Sequence, residues 1–280
     1  MSRARAMPEA ARPLLLCADD YGLSPGVDTA IAGLVRAGRL GAFSCLSNGP
    51  AWPSDAAALA GLRAQAQAGL HFNLTEGQPL SPALLRLWPN LPSLPRLLLA
   101  AHLGRLPLAA LADELSAQAK AFEDGSGCRP DFVDGHQHVH HLPGVRGLLL
   151  DWLQRQPSAI PVRSTGRLAG PGFGFKRWVI EHSGGRALAL ALARRGQPHN
   201  ALLLGAYDFQ ASDYRSLMRA WLAQVPRSGA LLFCHPGQAC PAAASDPIAA
   251  ARQRELAYLA GADFPRDLAD ADVVLASAWS

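Results

Sequence analysis

Residues Leu14-Leu15-Leu16-Cys17-Ala18 form an apolar run that ends at Asp19-Asp20-Tyr21-Gly22. A helix pattern follows from about Val27 to Ala37, and Ala42–Leu46 is a second short apolar run. Short apolar runs bounded by turn residues read as strands, and a helical stretch between two of them reads as a crossover. The pattern continues outward. Ser54 or Asp55 opens an Ala-rich helix, and Gly69–Leu74 is a third strand. Phe132–Asp134 is a fourth, followed by a helix near Val145–Leu153. Pro161-Val162-Arg163, Ala201–Leu204, Ala230–Cys234 and Val273–Leu275 complete the set. Strand and helix alternating this often predict an α/β fold, (β/α) barrel-like, with mostly parallel strands under covering helices. Periodicity does not distinguish a closed barrel from an open sheet.

Two stretches interrupt the alternation. Glu76–Pro107 is a proline-rich loop with short helical pieces, and Thr165–Arg177 is rich in glycine and aromatic residues. Long loops in compact domains are commonly functional. No internal repeat or second core is visible, so a single domain over residues 13–280, behind an N-terminal tail of residues 1–12, is expected.

The 280 residues are 49% hydrophobic, enough for one substantial core. The net charge of +4 comes almost entirely from arginine; Lys120 and Lys176 are the only lysines. No dense basic run with interleaved aromatics marks a nucleic-acid surface. Five cysteines form no CxxC pair, which argues against a secreted disulfide framework. Leu14-Leu15-Leu16 is too short for a signal core, and no stretch reaches the length of a membrane span. A soluble cytoplasmic protein is expected, with homo-oligomerisation left open.

Polar residues collect at the ends of four strands. They are Asp19 and Asp20; His71; Asp134 with His136, His138, His140 and His141; and His235 before Pro236-Gly237. Parallel α/β folds build their sites at the carboxyl ends of strands, so these residues converge. Each has a plainer reading. One aspartate after a strand is a turn former or helix cap; two adjacent ones are harder to explain that way. His71 alone reads as a core histidine. The His136–His141 cluster alone reads as a polar loop, but so many imidazoles after a buried strand favour a metal ion. His102, His182 and His199 read as surface residues. Neighbouring side chains diverge on a regular strand, so a site using both aspartates requires the chain to turn, which Tyr21-Gly22 permits. An Asp/His₂ set suits Zn²⁺ or another first-row divalent ion, with a spare aspartate as base and a separate histidine as acid or oxyanion partner.

Four ordered segments resemble the YdjC-like (ChbG-type) carbohydrate deacetylases. They are Ala18–Gly26, Gly69–Leu80, Asp134–His140 and Cys234–Gly237, and the Asp246 to Leu256 stretch fits the same pattern. The resemblance implies a barrel-like fold and metal-dependent removal of N-acetyl groups from amino sugars such as chitooligosaccharides. It implies one divalent ion, Mg²⁺ or Zn²⁺, held by Asp20, His71 and His136. Asp19 is then the general base and His235 the acid or oxyanion partner. Tyr21, Asn73, Asp134, His138, His140 and Arg163 are expected to bind substrate or to support the ligands. The family often has Phe where Tyr21 stands and Ser where Gly135 stands; both exchanges are expected to be tolerated. A small saccharide is the expected partner, with no nucleic acid and no membrane span. The alternatives are a phosphoesterase of the His-rich barrel type, which needs more metal ions, a deacetylase of a glycolipid such as an acetylglucosaminyl hopanoid, and an inactive sugar-binding scaffold.

Overall fold

The computed structural model describes residues 11–241 and 246–279. Residues 1–10, most of the expected tail, lie outside the described part. Among the described residues there are seven strands: β1 Arg12–Tyr21, β2 Ala42–Cys45, β3 Gln67–Phe72, β4 Val133–Gly135, β5 Leu203–Leu204, β6 Ala230–Cys234 and β7 Val273–Leu275. All pair in parallel, in the order β4-β3-β2-β1-β6-β5. β7 lies beside the first residues of β1, and β2 pairs further along the same strand. The sheet is curled. Its outer strands are linked through Val162, which bridges to Val133 on one side and to His199, just before β5, on the other. The expected strand at Pro161-Val162-Arg163 is thus a single bridging position.

Strand alternation sorts the core into two layers. Leu14, Leu16 and Ala18 belong to the large cluster shared with the covering helices. Leu15 and Cys17 point the other way, into a small interior shared with Phe132, Leu203, Leu231 and Phe233. That interior is crowded: a Cβ on Gly69 would lie 2.4 Å from the Phe132 ring. Glycine at this position leaves room for the aromatic ring.

The crossover after β1 is fixed locally. Ser24 caps the helix Pro25–Arg36, its Oγ accepting from Val27 N, and Pro25 occupies the first turn. Asp28 Oδ1 accepts from Gly22 N at 2.6 Å and pins the turn that follows the two aspartates. Burial, reinforced by a hydrogen bond with Asp55, pushes the Asp28 carboxyl up to about 8. A carboxyl in the unfolded chain ionises near 4 (about 3.9). Between those values unfolding releases a proton, so Asp28 lowers stability progressively as pH rises from about 4 to 8. Asp28→Asn removes that dependence. Its melting temperature relative to the parent is expected to climb between pH 5 and 8, by roughly 6–16 °C, since about 3–4 kcal/mol accumulates over those three pH units and about 1 kcal/mol shifts a domain of this size by about 2–4 °C. Thermal melts across that range test this; a difference flat with pH would refute it.

Candidate active site

β1 delivers two adjacent carboxylates to one place through a bulge. Its register against β2 steps from Ala18↔Phe43 to Tyr21↔Cys45, so three steps on β1 match two on β2. Asp20 carries the extra residue's conformation, with φ 77°. Regular alternation would turn Asp19 inward and Asp20 outward. The bulge brings Asp20 in as well and returns Tyr21 to the outer core. The reorientation therefore occurs at Asp20 itself, one residue before the Tyr21-Gly22 turn that the sequence suggested. Tyr21 points away from the site; its hydroxyl donates to Asp55 O at 2.9 Å.

Asp20, His71 and His136 converge, their ligand atoms all within 4.8 Å of one another. Asp20 Oδ1 lies 2.9 Å from His136 Nδ1 and 3.4 Å from His71 Nε2. Its other oxygen accepts from Arg252 Nη2 at 2.8 Å. His71 Nδ1 faces Asp134 Oδ1 at 2.6 Å and Ser44 Oγ at 3.1 Å. A Nδ1–H donated to Asp134 leaves the Nε2 lone pair aimed toward Asp20, the arrangement by which carboxylates orient histidine ligands. His136 Nε2 lies 3.1 Å from Glu76 Oε1, an ion-pair approach off the line of a hydrogen bond.

The charges are strongly coupled. Burial opposes ionisation of Asp20, yet Arg252 and His136 hold its carboxyl well below the usual range. Burial likewise disfavours imidazolium, but Asp134 and Asp19 raise His71 to about 10, and Asp20 raises His136 to about 9. A field that stabilises cationic imidazoles also suits a divalent cation, which would bind their neutral forms. Two histidines, one carboxylate and an open cleft fit a catalytic ion with three protein ligands.

Asp19 is held differently. Its Oδ2 accepts from Arg163 Nη1 and its Oδ1 from Arg163 Nη2, both at 2.6 Å, and Ser44 Oγ donates to Oδ1 at 3.1 Å. Burial opposes the Asp19 charge, but Arg163 outweighs it and lowers the pKa. Arg163 is fully buried and also lies 2.6 Å from Asp134 Oδ2. That contact is off the hydrogen-bond line and acts through charge. Cys17, Asp19 and Asp134 form a second group with metal-ligand spacing, but the Arg163 guanidinium lies among them. Arg163 does not line the cleft; it acts as counter-ion behind the site.

The four residues Asp19, Asp20, His71 and His136 lie in a cleft of about 820 Å³, whose walls include Phe209, Phe233, Ile180 and Ile248. His235 lines the same cleft. Its backbone N–H donates to Glu255 Oε2 at 2.6 Å, and its ring packs edge-on against Phe209 and Phe233. Burial pulls the His235 imidazole down to about 4, so it is neutral near pH 7.

The other histidines divide. His136–His141 is not a continuing strand but two tight turns, with Gln137 and His138 left-handed at φ 50° and 62°. Alternation along a strand therefore does not apply. His138 lines the cleft against Phe233, and burial, then its histidine neighbours, lowers its pKa. His140 is fully buried and bonds Arg163 O through Nε2 at 2.8 Å. His141 is tied to Thr165 and Ser183. Asn73 organises the loop after β3: its Oδ1 accepts from Thr75 N and Glu76 N, and its Nδ2 donates to Glu76 O. Gly135 is less exchangeable than expected. A Cβ there would meet His140 Nδ1 at 2.7 Å and His140 N at 2.9 Å, so serine requires the His140 backbone to shift.

Sequence reasoning assigned no role to Arg252, Glu76 or Ser44. Arg252 reaches Asp20 from the helix Ala249–Ala260 and is itself held by Asp246 Oδ2 at 2.6 Å. Only Ser44 carried a usable signal, since it shares the inward phase of β2 with Ala42.

A family model described as YdjC-like protein matches residues 13–270. A carbohydrate deacetylase from Mus musculus is 36% identical over 193 residues, covering 65% of this chain and 58% of that protein. A chitooligosaccharide deacetylase from Proteus mirabilis (strain HI4320) is 35% identical over 157 residues, covering 54% of this chain and 58% of that protein. The matches thus span less than two-thirds of these relatives' own length. A solved structure from Enterococcus faecalis V583, provisionally described as a cellobiose-phosphate cleavage protein, superposes with a TM-score of 0.75 at 19% identity. It covers 95% of this chain and 97% of that one, which shows a shared fold.

Proposed function

The chain belongs to the YdjC-like family, and from that membership and the site geometry we propose that it is a metal-dependent hydrolase removing N-acetyl groups from amino sugars. The observation that carries the proposal is the convergence of Asp20, His71 and His136 beside Asp19 and His235 in one cleft. Asp20, His71 and His136 would hold a divalent ion, Zn²⁺ or Mg²⁺, which when bound polarises a carbonyl and acidifies water. Asp19 accepts the proton of the attacking water. Arg163 keeps that carboxylate ionised and fixes its plane. A neutral His235 suits N–H donation to the oxygen of the tetrahedral intermediate; as an acid toward the amine it must first gain a proton. Phe209 and Phe233 keep water from its ring faces.

Acetate release from a panel of N-acetylated saccharides, with and without chelator, tests this reading. Release that chelator abolishes and added ion restores is expected; full activity in chelator would refute the metal role. A phosphoesterase with several ions draws no support from Cys17, Asp19 and Asp134, because Arg163 supplies the positive charge there. One ion per chain is expected. Because His71 and His136 must lose protons to ligate, zinc affinity is expected to rise between pH 6 and 8, by about tenfold or more per unit. Competition titrations at several pH values measure this, and a flat profile would remove the two histidines from the ligand set.

A further inference from the structure

We propose that the cleft-bearing face docks on an anionic lipid bilayer. Among the described residues, six large hydrophobic side chains are more than half exposed: Leu87, Leu99, Leu103, Phe175, Trp178 and Leu190. Leu87, Leu99, Leu103 and Phe175 fall in the two segments that interrupt the strand–helix alternation, and Trp178 directly follows the second. Those segments follow β3 and the Val162 bridge, so both leave the carboxyl end of the sheet, and both contribute to the cleft, through Leu94 and through Phe175 and Lys176. Phe175 thus lines the cleft itself, and Leu87, Leu99 and Leu103 stand on the other segment that contributes to it.

Charge follows the same division. Residues 76–107 and 165–177 together contain six Lys and Arg against a single acid, Glu76; the other residues of the chain contain 20 basic against 21 acidic. Arg86, Arg96, Arg105 and Arg167 are exposed. On the helix Leu94–His102, Leu97 and Ala101 face the core while Arg96 and Leu99 face out. On the helix Gly174–Ile180, Ile180 is buried while Phe175 and Trp178 project, 79% and 55% exposed. Aliphatic and aromatic groups standing out from basic, acid-poor segments match the headgroup region of an anionic membrane. A second copy of the chain is the poorer occupant, because two such faces would oppose like charges. No helix among the described residues is long and apolar enough to cross a membrane, so the contact is peripheral.

The test uses the full chain, sedimented with vesicles of equal phosphatidylglycerol and phosphatidylcholine and with vesicles of phosphatidylcholine alone. Partition onto the anionic vesicles is expected to be at least about tenfold stronger and to weaken as salt rises from about 0.1 to 0.5 M. Leu99→Glu/Leu103→Glu is expected to cut that partition about tenfold or more, with the melting temperature unchanged. Equal partition onto both vesicle types, none onto either, or binding indifferent to the variant would overturn the proposal. So would a concentration-dependent dimer that the variant abolishes, which would assign the face to self-association. None of these readouts depends on hydrolysis, so they stand or fall apart from the deacetylase reading.

Discussion

Asp19→Asn is expected to lower turnover of an N-acetylated sugar by about 10²–10⁴-fold while leaving zinc binding within about twofold of the parent. The change is nearly isosteric, and one oxygen remains to accept from Arg163. It removes the charge that, in the proposed mechanism, takes a proton from water, and it replaces none of Asp20, His71 or His136. His71→Ala is expected to behave differently. It deletes one of the proposed ligands and strands Asp134, whose Oδ1 partner is gone, so ion affinity and turnover are expected to fall together. Paired measurements of bound zinc and acetate release separate the two. An Asp19→Asn enzyme with near-parent turnover would end the assignment of Asp19 as base. An Asp19→Asn enzyme that lost its ion would move Asp19 into the ligand set.

The largest effect on stability is expected from Arg163→Leu. Arg163 is fully buried and supplies the positive charge between Asp19 and Asp134. Removing one partner of a buried ion pair leaves an uncompensated charge and typically costs about 3–5 kcal/mol. In a domain of this size that lowers the melting temperature by roughly 6–20 °C. The pH dependence carries the sign of the effect. In the parent, Asp19 has a lowered pKa, so its contribution is present above the unfolded carboxyl value and is lost as pH falls through the folded one. In the variant, burial without Arg163 raises the carboxyl pKa, and stability falls as pH rises. The gap between the two proteins is therefore expected to widen from pH 4 to 7. A gap that is small and constant would mean the guanidinium contributes little beyond packing.

Much of this was legible in the sequence. Ala230–Cys234 and Val273–Leu275 are strands at the expected residues, because fully covered parallel strands are plain apolar runs. The donors at the strand ends were legible for the same reason: charged residues abutting a buried run stand out. What was not legible depends on partners remote in sequence. For Arg163 substrate binding and support of the ligands both stayed open, because nothing nearby shows that its fork faces Asp19, 144 residues away. Arg252 meets Asp20 across 232 residues. Local spacing could not reveal that His138 and His140 follow left-handed turns rather than a strand. The interrupting segments were recognisable as departures, but their helices Leu94–His102 and Gly174–Ile180 were hidden by proline and glycine at their starts.

The bulge in β1 also filters substitutions. Asp20 sits at φ 77°, where aspartate, asparagine and glycine are tolerated and branched side chains are strained. The position therefore selects by backbone as well as by charge, and Asp20→Asn tests the charge with the backbone left at ease. Parity has a second effect. Deleting one residue between Ala18 and Tyr21 would not merely shorten the strand; it would exchange inside for outside at a carboxylate. The two aspartates are neighbours in sequence and partners in the cleft only because the strand miscounts once, at the residue that faces the histidines.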